Sequence, residues 1–221
     1  MFDQEMIAML GQETLMTLYM TLCSTLFAYL LGLPIGIALV VTARGGLRPN
    51  QIVNKILDTI VNIFRSIPFL ILMILLIPFT RLVVGKTYGA TATIVSLTVA
   101  AAPFIARLVE SSLLEVDKGV IEAAQSMGAS LWTIIWKVLL AEARISLLVG
   151  GTIALGTILG YSAMAGAIGG GGLGAIAIQY GYYRYQAGIM VATVILLILL
   201  VQIMQWAGMK LSKKLDRRIT R

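Results

Sequence analysis

Polar positions along this chain are gathered into short breaks, and the stretches between them are almost wholly apolar. Five such stretches run over 14–43, 52–80, 88–112, 145–164 and 187–209. A membrane's hydrocarbon core takes about 20 residues of helix to cross, so each stretch predicts one transmembrane helix. The breaks carry turn chemistry. Arg44-Gly45-Gly46-Leu47-Arg48-Pro49 reads as a loop from its Gly and Pro content. A polar segment fills 113–144, and a glycine-rich loop over 166–174 leads into a tyrosine-rich stretch. Within the second stretch, Lys55, Asp58 and Arg65 put the first part at the membrane surface. Pro68 predicts a kink, because proline removes a helical hydrogen bond. The fold class expected is an all-α integral membrane protein with five transmembrane helices in one domain over 1–221.

Composition narrows the class. The 221 residues are 59% hydrophobic and 12% charged, whereas soluble domains run near 25% charged. The N-terminus is acidic where a signal peptide would be basic, so the first span is expected to be retained. With the N-terminus outside, the cytoplasmic segments hold fourteen basic residues, six of them in the C-terminal tail. The outer segments hold three, Arg81, Lys86 and Arg184. The positive-inside rule therefore predicts N-out, C-in, and places 113–144 in the cytoplasm. The basic tail reads as a membrane anchor with affinity for anionic lipid headgroups, not as a nucleic-acid site.

Several chemistries drop out. There is no histidine, and the single cysteine, Cys23, lies in the first span. Neither a metalloprotease motif nor a cysteine-based metal cluster can be built. Gly85-Lys86-Thr87 lacks the earlier glycine of a phosphate-binding loop, since Thr80 stands there, and it falls in an outer loop. The run Gly169 to Gly174 fits a dinucleotide fingerprint in letters, but no strand precedes it. Its expected role is a tight turn whose backbone approaches a neighbour closely. No long internal repeat is present, so a transport pathway would need a symmetric dimer.

The polar segment is the informative one. Val120 to Met127 predicts a short helix, which Gly128 can close in the left-handed conformation. Ser130 can cap a second helix over 131–140, where Leu131, Ile134, Ile135, Val138 and Leu139 share one face. The two helices make a stiff knob at the membrane surface. Ala123 and Ala124 keep one side small enough to enter a partner's groove, and Glu122 sits where the helix dipole favours a negative charge. A bare amphipathic surface helix would show the same pattern.

Glu122-Ala123-Ala124, then Gly128, then Val138-Leu139-Leu140-Ala141 resembles the E-A-A-x3-G-x9-I-x-L-P signature of binding-protein-dependent ABC importer permeases. Valine replaces isoleucine at 138, and alanine at 141 replaces the proline that kinks the chain before span four. Arg65-Ser66-Ile67-Pro68-Phe69-Leu70, Gly160-Tyr161-Ser162-Ala163-Met164 and the glycine-rich loop with Tyr180-Gly181-Tyr182 resemble the methionine permease branch of that family. Together these motifs cover about 14–209.

The resemblance implies a type I importer permease in the bacterial cytoplasmic membrane, working as a homodimer. Its implied partners are two cytoplasmic ABC ATPase subunits and an extracytoplasmic binding protein, often a lipoprotein. ATP and magnesium would sit on the ATPase, leaving this chain without a cofactor or a reaction of its own. Glu122, Ala123, Ala124 and Gly128 would form the coupling helix. Tyr161, Ser162 and Met164 would line the pathway or its gate, although span-four hydroxyls also serve packing. Gly156-Thr157-Ile158-Leu159-Gly160 would allow close helix contact. The spans carry few charges, so the binding protein is expected to set most of the specificity. Two other readings remain open at this level: the same fold importing another small amino acid or peptide, and a membrane anchor or channel with no ATPase.

Overall fold

A computed structural model describes residues 4–216, and all regular structure within them is helical. Arg217, Arg218 and Arg221 of the basic tail lie outside the described residues.

The first helix, α1 (Gln4–Thr42), begins ten residues before the predicted span. At roughly 1.5 Å per residue it is about 58 Å long, well beyond the ~30 Å hydrocarbon core. Its threonines do not leave polar atoms loose in the membrane. Thr17, Thr21 and Thr25 each donate a hydroxyl to the carbonyl four residues back, at 2.7–2.8 Å. Helix α1 makes its most extensive contact with α5 (Ala90–Leu114), the central helix. The contact depends on Gly32 and Gly36. A Cβ on Gly32 would stand 2.8 Å from the Ala102 carbonyl, and one on Gly36 2.7 Å from that of Ala106. The spanning part of α5 is 67% buried, against 11% for α11 (Ala187–Leu215). Thus α5 is the axis of the subunit and α11 presents its sides outward.

The second span departs from the single kinked helix expected over 52–80. It is three helices, α2 (Gln51–Ser66), α3 (Phe69–Leu75) and α4 (Ile77–Val84). Between α2 and α3 the chain turns by 105°. Pro68 disfavours the helical conformation of the residue before it, and Ile67 is extended at φ −80°, ψ 127°. Helix α2 is amphipathic, started by Asn50, whose side chain accepts from the Val53 N–H at 3.1 Å. Helix α4 is tied to α5 by a hydroxyl pair, Thr80 to Ser96, at 2.9 Å.

The polar segment over 113–144 holds α6 (Lys118–Ser126) and a second helix over 131–142. The latter comprises α7 (Leu131–Thr133), a π-helical turn (Ile134–Leu139) and α8 (Leu140–Glu142). The last spans are α9 (Arg144–Ala165) and α11, joined by the short α10 (Gly172–Ile176) and a π-helical turn (Ala177–Tyr182). Among the described residues, four helices are long and apolar enough to cross a membrane, and the count reaches five when the bent pair α2–α3 is taken as one span.

Candidate coupling site and transport pathway

The knob is built as a closed unit. Asp117 starts α6 by accepting from the Gly119 N–H at 2.6 Å. The helix begins two residues before the expected Val120, because Asp117 supplies the cap. It ends in two nested bonds: Gly128 N–H to the Gln125 carbonyl at 2.9 Å, and Ala129 N–H to the Ala124 carbonyl at 3.1 Å. This Schellman pair requires a left-handed residue at its turn, and Gly128 has φ +75°. A Cβ on Gly128 would meet nothing within 4 Å. Its glycine is therefore set by backbone conformation, and the space above it is open to a partner.

The four knob residues do not all face one way. Glu122, Ala123 and Gly128 are exposed, while Ala124 is buried against Leu113, Val116, Ile134, Ile135 and Leu139. Ala124 thus holds the knob to its own subunit, and Ala123 keeps the outer face small. Sequence reasoning passed over the exposed apolar groups of the knob: Met127 is 81% exposed, with Val120 on α6 and Trp132 and Trp136 on the second helix also exposed.

Ser130 caps the second helix as predicted, accepting from the Thr133 N–H at 3.3 Å. The π-helical turn directs Ile134, Ile135 and Leu139 inward, with Leu131 and Val138 half-buried beside them. Although Ala141 stands where proline was expected, the helix still breaks at Ala143, where ψ is −3°. The knob is therefore anchored on α5 and joined directly to the start of α9.

The predicted pathway residues fall in different places. Tyr161 stacks on Phe69, ring centroids 4.2 Å apart and planes 5° from parallel. The pair borders a cleft of about 160 Å³ with Phe64, Arg65, Ala100 and Phe104. Two motifs about ninety residues apart in sequence thus meet in one contact. Ser162 is turned inward, 1% exposed, and donates to the Leu159 carbonyl at 2.7 Å. Met164 is 52% exposed. From Arg144 to Tyr161 along α9 is about 26 Å at ~1.5 Å per residue, close to the thickness of the hydrocarbon core. Of the predicted close-contact pair on α9, Gly156 lies against Gln205 of α11, while a Cβ on Gly160 would meet nothing within 4 Å.

Two polar tethers escaped the sequence reading. Arg107 of α5 pairs with Asp58 of α2, donates to Asn62 at 2.9 Å, and pairs with Glu110 at 2.6 Å. This network ties α2 to α5 and occupies the guanidinium on three sides. Glu13 of α1 accepts from the Gly172 N–H at 2.6 Å, and Thr17 accepts from the Leu173 N–H at 2.9 Å. They hold the glycine-rich loop against α1. The expectation of close backbone approach there is met: a Cβ on Gly172 would stand 2.7 Å from the Thr17 hydroxyl, and φ there is +78°. The available signal was an isolated carboxylate, Glu13 just ahead of the first apolar stretch and Asp58 within the second, and a carboxylate alone names no partner.

Comparison with known proteins agrees with this architecture. Residues 28–217 match the family model of the binding-protein-dependent transport system inner membrane component. The chain is 52% identical over 205 residues to the Probable D-methionine transport system permease protein MetI of Vibrio cholerae, covering 93% of this chain and 91% of that one. It is 46% identical over 180 residues to the Methionine import system permease protein MetP of Bacillus subtilis, covering 81% of each. A solved inward-facing conformation of the MetNI methionine ABC transporter superposes with a TM-score of 0.96 at 47% identity, over 97% of this chain and 100% of that one. The chain therefore belongs to the family of multi-pass inner-membrane permease components of binding-protein-dependent transport systems.

Proposed function

We propose that this chain is the permease subunit of an ATP-driven importer of methionine. The observation that carries the reading is its near-complete superposition, at 47% identity, on a chain of the MetNI methionine ABC transporter. The working unit is a homodimer of single permease domains with two cytoplasmic ABC ATPase subunits. An extracytoplasmic binding protein delivers the amino acid and sets most of the specificity. ATP and magnesium belong to the ATPase.

Glu122, Ala123 and Gly128 form the face that enters the ATPase, with Met127 adding apolar area. Ala124 fastens that face to the core. Movement of the ATPase pair displaces the knob, and the buried row Ile134, Ile135 and Leu139 passes the displacement to α5. Helix α9, joined at Ala143, carries it about 26 Å to Tyr161. The Phe69–Tyr161 stack and Met164 lie where the pathway opens or closes, while Ser162 supports them from within the subunit. For ATP to drive this cycle it must bind the outward-facing assembly better than the inward-facing one, since a ligand shifts an equilibrium only by its differential affinity.

The test is uptake of labelled methionine by cells lacking their own methionine importers. The chain is co-expressed with its neighbouring ATPase and binding protein. Uptake that requires all three components is expected. No methionine uptake despite a co-purifying ATPase would move the cargo to another small amino acid or peptide. Absence of both uptake and ATPase would leave an anchor or channel.

A further inference from the structure

On the cytoplasmic side, a groove of about 550 Å³ runs between α1, α9 and α11. Gly151 keeps its floor low, since a Cβ there would stand 3.1 Å from the Tyr29 hydroxyl. The hydroxyls along its walls are all satisfied within the subunit. Thr25 donates to the Thr21 carbonyl at 2.7 Å, Tyr29 to the Leu147 carbonyl at 3.1 Å, and Thr152 to the Leu148 carbonyl at 2.9 Å. What remains on offer is apolar, from Leu33, Leu155 and Leu211 among others. A zwitterionic amino acid would lose its hydration there with no hydrogen bond in return, so the groove is not built for the cargo.

The mouth has the opposite character. Arg144 lines it at the start of α9 and is exposed. Among the described residues it has no ion-pair partner. Lys213 and Lys214 in the last turn of α11 add positive charge on the same side of the membrane. The groove also has the right length. From Arg144 to Leu155 is about 16 Å at ~1.5 Å per residue, and one leaflet's hydrocarbon is roughly 15 Å deep, half of the ~30 Å core.

We propose that this groove binds one anionic glycerophospholipid of the cytoplasmic leaflet, an acyl chain lying along Leu155 and Leu211 and the phosphate held by Arg144. The guanidinium supplies the paired N–H groups that suit phosphate oxygens, and the apolar walls take the chain. Arg144 directly follows the break at Ala143 that joins knob to α9. The bound lipid therefore braces the junction through which the knob acts.

The test is native mass spectrometry of the full chain in complex with its ATPase, after exchange into detergent with either phosphatidylglycerol or phosphatidylcholine. Wild type is expected to retain phosphatidylglycerol over phosphatidylcholine by about five-fold, the effect of one cationic side chain at a lipid surface. Arg144→Gln should abolish that preference while keeping some of both lipids. Leu211→Trp, which fills the groove from an exposed position, should lower retention of both. Equal retention in wild type and both variants overturns the proposal. So does dissociation of the permease dimer in Leu211→Trp with lipid retention unchanged, which would make the groove an interface between copies of the chain.

Discussion

Phe69 and Tyr161 stack face to face, 4.2 Å between ring centroids, although one begins the helix after the Pro68 turn and the other lies near the end of α9. The contact fixes the 105° turn of the second span against the fourth. Among the described residues no hydrogen bond engages the Tyr161 hydroxyl, so the ring is what holds. Tyr161→Phe should therefore leave thermal stability and uptake near wild type. Tyr161→Ala should lose about 0.5–1.5 kcal/mol of aromatic pairing beyond the buried area and lower uptake. Melting curves and initial uptake rates check both, and an inert Tyr161→Ala would remove the stack from the mechanism.

Gly128 separates folding from coupling. Asn and Asp both tolerate the left-handed region, and the space around Gly128 is open. Gly128→Asn and Gly128→Asp should thus insert and express like wild type. Both should weaken ATPase co-purification, because the added side chain fills space the partner occupies, and Gly128→Asp should abolish coupled uptake. Full uptake by a well-expressed Gly128→Asp would sink the coupling assignment.

Arg107 is expected to be irreplaceable by lysine. Its guanidinium meets Asp58, Asn62 and Glu110 from different directions, which suits a planar fork and not a single ammonium. Arg107→Met leaves Glu110, only 20% exposed, without its cation. A loss of about 1–3 kcal/mol follows from leaving a partly buried polar group unpaired. Arg107→Lys should recover little of it. Thermal denaturation of the three proteins in one detergent measures the order.

Glu13 should behave as an acceptor and not as a charge in its hold on the glycine-rich loop. Glu13→Gln keeps a carbonyl oxygen for the Gly172 N–H and should cost little. Glu13→Ala leaves that N–H unpaired in a half-buried site, at about 1–3 kcal/mol. Proteolysis or cysteine labelling in 166–174 would report the loosened loop. Equal protection in both variants would show that Thr17 suffices alone.

Ser162 offers a simple check on the pathway. Its hydroxyl already serves the Leu159 carbonyl inside the subunit, so Ser162→Ala should transport at near the wild-type rate. A large change in uptake with unchanged stability would bring Ser162 into the path after all.

What could be read from residues alone followed from local physics. Apolar length marked the long helices, and the Gly128 and Ser130 signals gave the closed knob, because caps and turns are decided within a few residues. Pro68 announced a bend, since it restricts Ile67 whatever surrounds it; the separation of α3 from α4 was not announced. Contacts between distant segments were out of reach. Nothing near Glu13 names Gly172, nothing near Asp58 names Arg107, and the periodicity that put Ala123 and Ala124 side by side could not say that only Ala124 faces inward. The four long helices are apolar on nearly all sides, so hydrophobic pattern there distinguishes no inner face from an outer one. In a membrane that choice falls to small residues, paired polar groups and close packing between helices, and those become visible only once the helices are assembled.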